Sequence, residues 1–446
     1  MPGFIGIANN GDFGKVYGWL CLEPRGAATN FIHFQPDYVW RARNYWNSPY
    51  HSSESALAWL ATRFAGATHE GAAFDIRWLG ATHAALCLAA FGVLLAGLRG
   101  PLRGMTRGRG RMALAAAIVP LLIFTDVCYT AYLNSFYMDA AALAGLLLMA
   151  AAAVWMTAGT APEAAPLGVF TLAALLFVTS KAQHAVWMGL PAALLMAWGA
   201  RWNSRPWRAL AWGAAGLVLL AGAGMLNSTD GSYRGQAMFN ILFFRLGPAG
   251  ADLQSLGVKP EELRYRGMNA YTPGAPAADR AWTEEFARRT GFGRLLGWYA
   301  RHPGSTLGFL AETLREGAPE MRPVNLGNFR AADGRAPGAR TERFGMWSQW
   351  RSELLRRWPW HMVAWYAVFL AGCLASGSPV RWVAMGILAL GAGEFAAAAL
   401  GDALDAGRHL FLFHAATDLT VCFAAGWLLE KWLLEWLLQN TMRHTP

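Results

Sequence analysis

Charged residues are scarce in this chain. Only 15% of its 446 residues are Asp, Glu, Lys or Arg, whereas a soluble domain carries about 25%. Hydrophobic residues make up 55%, and many of them stand in long uncharged runs. This composition excludes intrinsic disorder and is not typical of a water-soluble enzyme. We interpret the chain as a multi-pass membrane protein.

Cysteine and lysine are also rare. The five cysteines give no disulfide framework, because four lie within apolar stretches and Cys21 stands alone. Only four residues are Lys, so the formal charge of +10 comes mainly from Arg, whose planar fork suits phosphate groups. The basic residues are scattered between apolar segments and form no single stripe, so we expect no nucleic-acid partner.

The soluble catalytic motifs are missing as well. The sequence has no G-x-x-x-x-G-K-[ST] loop, no H-E-x-x-H pair, no C-x-x-C and no G-x-S-x-G turn. The glycines of residues 11–18 lack a strand–turn–helix context. Cytosolic nucleotide-sugar chemistry is therefore disfavoured.

Long apolar segments are what the sequence does contain. A membrane-spanning helix needs about 20 apolar residues, because backbone amides left unpaired in lipid are costly. We predict an all-α, polytopic membrane helix bundle with a large helical extracytoplasmic loop. Its nine predicted spans are 79–98, 113–133, 139–158, 167–180, 185–200, 207–226, 360–378, 380–400 and 410–429. Lys181, Gln183 and His184 divide the fourth span from the fifth, which favours two short helices over one long helix.

The short loops between these spans indicate an orientation. Nine basic residues fall in the short loops of one side and two in those of the other, and the basic side is expected to be cytoplasmic. This places residues 1–78 and 227–359 outside, where we expect them to share a cavity. The predicted division is a first outer loop at 1–78, six spans at 79–226, a large outer loop at 227–359, and three spans with a tail at 360–446.

The two outer regions carry their own patterns. Residues 1–78 have no signal peptide, so we expect a further span upstream, with insertion without a leader as the alternative. A Ser-rich cap begins an amphipathic pattern at 46–65, which predicts a helix on the outer surface. Proline and glycine divide the second region into short helices with no strand pattern. The predicted helices are 237–245, 281–290, 292–301 and 305–317.

Polar residues gather at the outer ends of the spans. Asp126, Glu394 and Asp418 lie in the outer halves of three spans, where buried charge usually faces a cavity or a partner. The alternative is that each is a satisfied polar residue between helices. The outer turns add Tyr132, Asn134, Tyr137, Asp139, Lys181, Gln183, His184, Asp402, Asp405, Arg408 and His409. Carboxylates beside cations on this face suit a reaction on a phosphate-linked, lipid-anchored substrate.

This layout resembles the GT-C superfamily, whose multi-pass glycosyltransferases take sugars from polyprenyl-phosphate carriers at the outer membrane face. The resemblance rests on Ala8-Asn9-Asn10-Gly11-Asp12-Phe13, Asn134-Ser135-Phe136-Tyr137-Met138-Asp139 and Ser180-Lys181-Ala182-Gln183-His184. It implies that Asp12 is the catalytic acidic residue of the first outer loop. No Asp-Glu pair stands beside Asp12, so Asp37 is a second candidate and the need for a divalent metal stays open.

The resemblance implies an enzyme that moves one sugar from a polyprenyl phosphate to a glycan or glycolipid hydroxyl at the outer face of a bacterial plasma membrane. Its donor phosphate is expected at Arg408, Lys181 and His409. The expected cavity residues are Asn10, Asn134, Tyr137, Asp139, Gln183, His184, Asp126 and Asp405. A helix-capping role is the alternative for Asp12.

Two other functions remain open. A polymerase or ligase of lipid-linked glycans shares the outer cavity but uses polyprenyl diphosphate. A transporter or flippase predicts polar groups near the midplane and internal repeats, whereas the charges here lie towards one side.

Overall fold

The computed structural model describes the backbone of residues 4–9, 11–26, 31–43, 50–103, 118–159, 161–228 and 230–443, and their side chains except those of 99–103 and 429–443. The chain is mostly helical within these ranges. In chain order the named elements are β1 Ile5–Ile7, α1 Gly14–Tyr17, β2 Leu22–Pro24, β3 Asp37–Trp40, α2 Ser53–Phe64, β4 Ala73–Asp75, α3 Arg77–Arg103, α4 Val127–Leu133, α5 Asp139–Ala158, α6 Ala164–Val178, α7 Ala182–Ala185, α8 Gly189–Arg201, α9 Arg205–Ser228, α10 Gly231–Phe239, α11 Arg280–Thr290, α12 Phe292–Arg301, α13 Pro303–Glu312, β5 Leu326–Phe329, α14 Met346–Arg357, α15 His361–Ala375, α16 Arg381–Gly401, α17 Ala406–His409 and α18 Phe411–Arg443.

The apolar helices pack as a bundle around α5. This helix consists almost wholly of small and aliphatic residues and packs against α3 and α6. A Cβ at Gly145 would lie 2.9 Å from the backbone nitrogen of Phe177, so only glycine allows α5 and α6 to approach this closely. Helices α8 and α9 form a second pair, and α16 and α18 a third.

The prediction of nine spans was wrong. Within the described ranges, five helices are long and apolar enough to cross a membrane, namely α3, α5, α9, α16 and the first part of α18. Helices α6 and α15 are apolar but have 15 residues each. At about 1.5 Å per residue, such helices fall short of a bilayer core about 30 Å thick.

Two of the predicted spans are shorter than the sequence pattern indicated. The segment at 113–133 breaks at Asp126, which caps the seven-residue helix α4, and its first residues lie outside the described ranges. The segment at 185–200 becomes α8, which has 13 residues. A turn that contains the short helix α7 separates α6 from α8, which confirms that residues 167–200 are not one helix.

The all-α prediction was also wrong in part, because the structure contains two small antiparallel sheets. Strands β2, β3 and β4 form one sheet, with Tyr38 opposite Phe74. Strand β1 pairs with β5 in the other, with Ile5 opposite Phe329, and so joins residues far apart in the chain. Strands of three or four residues are too short for an alternating pattern to show in the sequence.

Helices in the two long loop regions agree with the predictions. Helix α2 begins after Ser52, whose side chain accepts a hydrogen bond from the backbone N–H of Ser55. Helix α11 begins after Asp279, which accepts from two backbone amides, and Gly291 separates it from α12. The segment predicted at 237–245 combines the end of α10 with a π-helix at Asn240–Leu246.

The two loop regions pack against each other at one end of the bundle, which we call the loop end. Besides the β1–β5 pairing, Asn325 Nδ2 donates to the carbonyl of Ala8 at 2.8 Å. The ammonium of Lys15 lies 4.3 Å from the ring centroid of Tyr233. The described residues of 4–76 and 230–360 therefore lie at the same ends of the apolar helices. The side of the membrane on which they lie stays a prediction.

Candidate functional site

A cluster of charged and polar side chains lies at the loop end, between the helix ends and the loop regions. We call it the loop-end cluster. Its members are Asp12, Lys15, Tyr137, Asp139, Lys181, Gln183, His184, Asp402, Asp405, Arg408 and His409.

Arg408 lies at the centre of this cluster. Its Nη1 donates to Asp12 Oδ2 at 2.6 Å and to the hydroxyl of Tyr137 at 3.1 Å, and its Nε lies 3.0 Å from Asp405 Oδ2. Asp405 precedes α17 with φ of 57°, a left-handed conformation that is uncommon outside glycine. This tight turn between α16 and α18 directs the Arg408 side chain towards Asp12. Only 12% of that side chain is exposed.

Asp12 has two cationic partners. Its Oδ1 lies 2.6 Å from Lys15 Nζ, and its Oδ2 pairs with Arg408. Burial opposes ionisation, but Lys15 and Arg408 hold the pKa of the Asp12 carboxyl well below its usual value. Phe13, not Asp12, occupies the N-cap position of α1. The described contacts of the Asp12 carboxylate are thus its ion pairs with Lys15 and Arg408.

A second group of cationic and acidic side chains meets at the start of α5. Lys181 Nζ lies 3.7 Å from Asp139 Oδ1, and His184 Nε2 lies 3.9 Å from the same oxygen. The other ring nitrogen of His184 is 2.9 Å from Ser180 Oγ. Burial lowers the pKa of His184 to about 3, so this imidazole is neutral at physiological pH. Lys181 is thus the cation of this group.

His409 connects the two halves of the cluster. Its Nε2 lies 2.7 Å from Asp402 Oδ2, and its Nδ1 lies 3.4 Å from Gln183 Oε1. Gln183 in turn donates through Nε2 to Glu394 at 2.7 Å. Burial acts against ionisation of Asp402, yet His409 lowers the pKa of this carboxyl to about 2. The turn at 402–409 and the turn at 181–184 are therefore joined side chain to side chain.

An apolar groove adjoins the cluster inside the bundle. Its volume is about 30 Å³, and residues of α5, α6, α8 and α16 line it, with Trp187 just before α8. Phe177 lines the groove and stacks on His184 with ring centroids 5.6 Å apart. Gly386 opens the opposite wall, where an added Cβ meets its nearest neighbour at 4.0 Å. A narrow, apolar groove therefore lies next to the charged cluster.

Comparison with protein families matches residues 1–443 to the YfdI N-terminal transmembrane domain. The chain belongs to this family. No curated protein and no solved structure matches it. The YfdI family description and the five apolar helices agree on a multi-pass membrane protein, and the description gives no activity.

In this YfdI-family chain, three predicted site residues lie outside the loop-end cluster, and a fourth is not among the described residues. Asn134 donates to the carbonyl of Ile5 at 3.2 Å and so holds strand β1. Asp37 begins β3 opposite Asp75. Asp126 contacts the backbone of α14, and Asn10 lies outside the described residues. A role of any of these residues with substrate stays a prediction.

Asp126 and Asp418 belong to buried contacts that attach α14 to the bundle. Asp126 accepts from the backbone N–H of Ser348 at 3.0 Å. Asp418 forms an ion pair with Arg351 and accepts from Tyr129 at 2.5 Å and from Trp347 at 2.7 Å. Both carboxylates therefore have hydrogen-bond donors within the protein. This agrees with the alternative stated above, that each is a satisfied polar residue between helices.

Lys15 and Asn325 of this YfdI-family protein were not predicted from the sequence as residues of the site. Asn325 Nδ2 donates to the hydroxyl of Tyr137 at 3.2 Å, so it positions a ring that Arg408 also contacts. The spacing Asp12-x-x-Lys15 was the available signal for Lys15, because residues three apart meet on a helical turn. Asn325 gave no signal, because nothing local relates it to the helix ends.

A metal site finds no support in the described part of the chain. Within those ranges, no group of three or more His, Cys, Asp or Glu side chains is placed to hold a metal ion. The cluster carboxylates pair with Lys, Arg and His instead.

Proposed function

We propose that this protein is a membrane glycosyltransferase that moves a sugar from a polyprenyl-phosphate carrier to a hydroxyl of a glycan or glycolipid, at the outer face of a bacterial plasma membrane. The observation that carries the proposal is the Asp12–Arg408 ion pair, which lies in a mostly buried cluster beside an apolar groove. Two further cations, Lys15 and Lys181, lie near this pair, and the groove beside them is lined by apolar residues.

Arg408 and Lys181 hold the donor phosphate in this proposal. Negative charge grows on the phosphate as its bond to the sugar breaks, and fixed cations stabilise that charge. Arg408 presents a planar fork, and Lys181 adds a compact charge. Their mostly buried side chains strengthen the interaction, because little water screens it.

Asp12 is the proposed base for the acceptor hydroxyl. In the free protein its low pKa makes it a weak base, because Lys15 and Arg408 stabilise the ionised form. A phosphate bound by Arg408 and Lys181 competes with Asp12 for Arg408 and so raises the pKa of Asp12. Its basicity then rises when the donor is in place, which favours transfer to an acceptor bound beside the donor.

The groove supports a lipid-carried donor. Its walls are apolar, and Phe177 leads from it to His184 at the cluster. An isoprenoid chain in the groove places its phosphate next to the cations. The position of the cluster at the helix ends also favours transfer over transport, since transport sites lie near the bilayer midplane.

The direct experiment is transfer by the purified protein in nanodiscs, with a panel of radiolabelled polyprenyl-phosphate sugars and envelope glycolipid as acceptor. Arg408→Gln should lower the rate by a factor of about 10² or more, because one stabilising donor is lost. Arg356→Gln is the matched control, since this exposed arginine pairs only with Glu353 among the contacts described. Use of polyprenyl-diphosphate glycans alone would indicate a polymerase or ligase instead.

A further inference from the structure

The corner formed by α12 and α13 exposes large apolar side chains. Phe292 is 43% exposed, Leu296 64% and Leu307 65%. The first two lie one turn apart on α12, and Leu307 lies on α13, which follows directly. Exposed apolar residues scattered singly need no explanation, but a contiguous set marks a surface that meets lipid or another molecule.

The apolar arc of α12 is wider than the part that the protein buries. Leu295, Trp298 and Tyr299 face the core of the loop region. At about 100° per residue, Phe292 and Leu296 continue this arc on the side of Tyr299. Arg294 and Arg301 lie on the opposite side of the helix, in line with an amphipathic helix whose outer apolar edge has no protein cover in the described residues.

Contacts with two bundle helices show where this corner lies relative to the ends of the apolar helices. The hydroxyl of Tyr299 donates at 2.9 Å to the carbonyl of Leu400, next to the last residue of α16. Just after α13, the guanidinium of Arg315 lies 5.2 Å from the ring centroid of Trp360, which directly precedes α15. Helix α16 is a candidate membrane span, and α15 is apolar. The corner therefore lies level with the ends of helices that face lipid.

We propose that the α12–α13 corner inserts Phe292, Leu296 and Leu307 into the headgroup–acyl boundary of the bilayer leaflet at the loop end. The exposed edge lies on the Tyr299 side, which is the side that meets α16, so it is continuous with a lipid-facing helix. Arg294 and Arg301 then lie towards the phosphates and water, as basic residues do on interfacial helices. This inference is independent of the proposed function, because it concerns only the surface that meets lipid.

The experiment places an environment-sensitive fluorescent amino acid at position 296 of the full chain by codon suppression. The protein is reconstituted in nanodiscs of phosphatidylethanolamine and phosphatidylglycerol. Position 294 is the matched control, because it is exposed on the opposite side of the same helix. The insertion predicts emission at shorter wavelength at 296 than at 294, and quenching at 296 by lipids brominated near the headgroup. Iodide in the water should quench mainly at 294.

Two results would overturn the inference. Equal quenching by iodide at 296 and 294 means that the corner lies in water. Protection of 296 from both iodide and brominated lipid means that protein covers it, either a second copy or a partner. The same label at 307 repeats the test on α13, so that one unsuitable site does not decide the result.

Discussion

Asp12 and Arg408 are 396 residues apart in the chain, yet their side chains meet at 2.6 Å. The pair joins the amino-terminal region to the turn that precedes the last helix. Lys15 lies against the other carboxylate oxygen, and Arg408 is the cation for which Asp12 and a donor phosphate compete in the proposed function. The account of the site depends on this competition.

Asp12→Asn should abolish most transfer, because the amide cannot take the proton of an acceptor hydroxyl. The substitution also removes the ion pairs with Lys15 and Arg408, so we expect a lower unfolding temperature, and rates are compared at a temperature at which both proteins are folded. Initial rates and thermal unfolding in nanodiscs measure both. Asp37→Asn is the control, since Asp37 lies on the β3 strand away from the cluster. Full activity of Asp12→Asn with loss in Asp37→Asn would move the base to Asp37.

Filling the apolar groove should separate long-chain from short-chain donors. Gly386 faces the groove, and a larger side chain there occupies the space of an isoprenoid chain. We expect Gly386→Leu to lower transfer from a full-length polyprenyl donor and to spare transfer from a water-soluble, short-chain donor. The matched control is Gly372→Leu on α15, where an added Cβ meets nothing within 4 Å. Equal losses with both donors would place the lipid chain elsewhere.

The Asp418–Arg351 pair should contribute strongly to stability. Both side chains are buried, and Asp418→Asn leaves the arginine without its counter-charge. Loss of one partner of a buried pair costs about 3–5 kcal/mol. Unfolding in mixed detergent micelles measures the change, with Glu353→Gln on the exposed face of α14 as the control. The double variant Asp418→Asn/Arg351→Met should recover part of the lost free energy of unfolding. If it recovers none, the unpaired charge of Arg351 is not the cause of the destabilisation.

Acid should weaken the turn at 402–409. The pKa of Asp402 falls from 3.8 to about 2 in the folded protein, because His409 favours the ionised form. A lowered carboxyl pKa contributes stability above pH 3.8, and this contribution is lost as the pH falls towards 2. Thermal unfolding of the native protein and of Asp402→Asn should therefore differ at neutral pH and converge as the pH falls to about 2. A difference that stays constant down to pH 2 would contradict this assignment.

Local signals explain why many helices were predicted well. Asp279 as a cap, Gly291 as a break and Pro303 as a first helical residue set the bounds of α11, α12 and α13, and all three signals lie within the segments themselves. The number of spans was overestimated because apolar composition alone does not show where a helix ends. Apolar composition continues through Asp126, but the backbone does not continue as helix there.

The site residues that lie in turns between apolar helices could be predicted from the sequence. Asp139, Lys181 and Arg408 follow from alternating helix directions, which bring their turns to one end. The partners from the long loops were not predictable in this way. Lys15 and Asn325 reach the cluster through tertiary contacts, and no spacing relates those loops to the helix ends.

A cryo-electron microscopy structure of the protein in nanodiscs with a non-hydrolysable polyprenyl-phosphate sugar analogue would show directly where the donor binds. The account predicts phosphate density against Arg408 and Lys181, the sugar next to Asp12, and the start of the lipid chain in the groove between Phe177 and Gly386. An analogue bound elsewhere, with the Asp12–Arg408 pair intact and the groove empty, would contradict it.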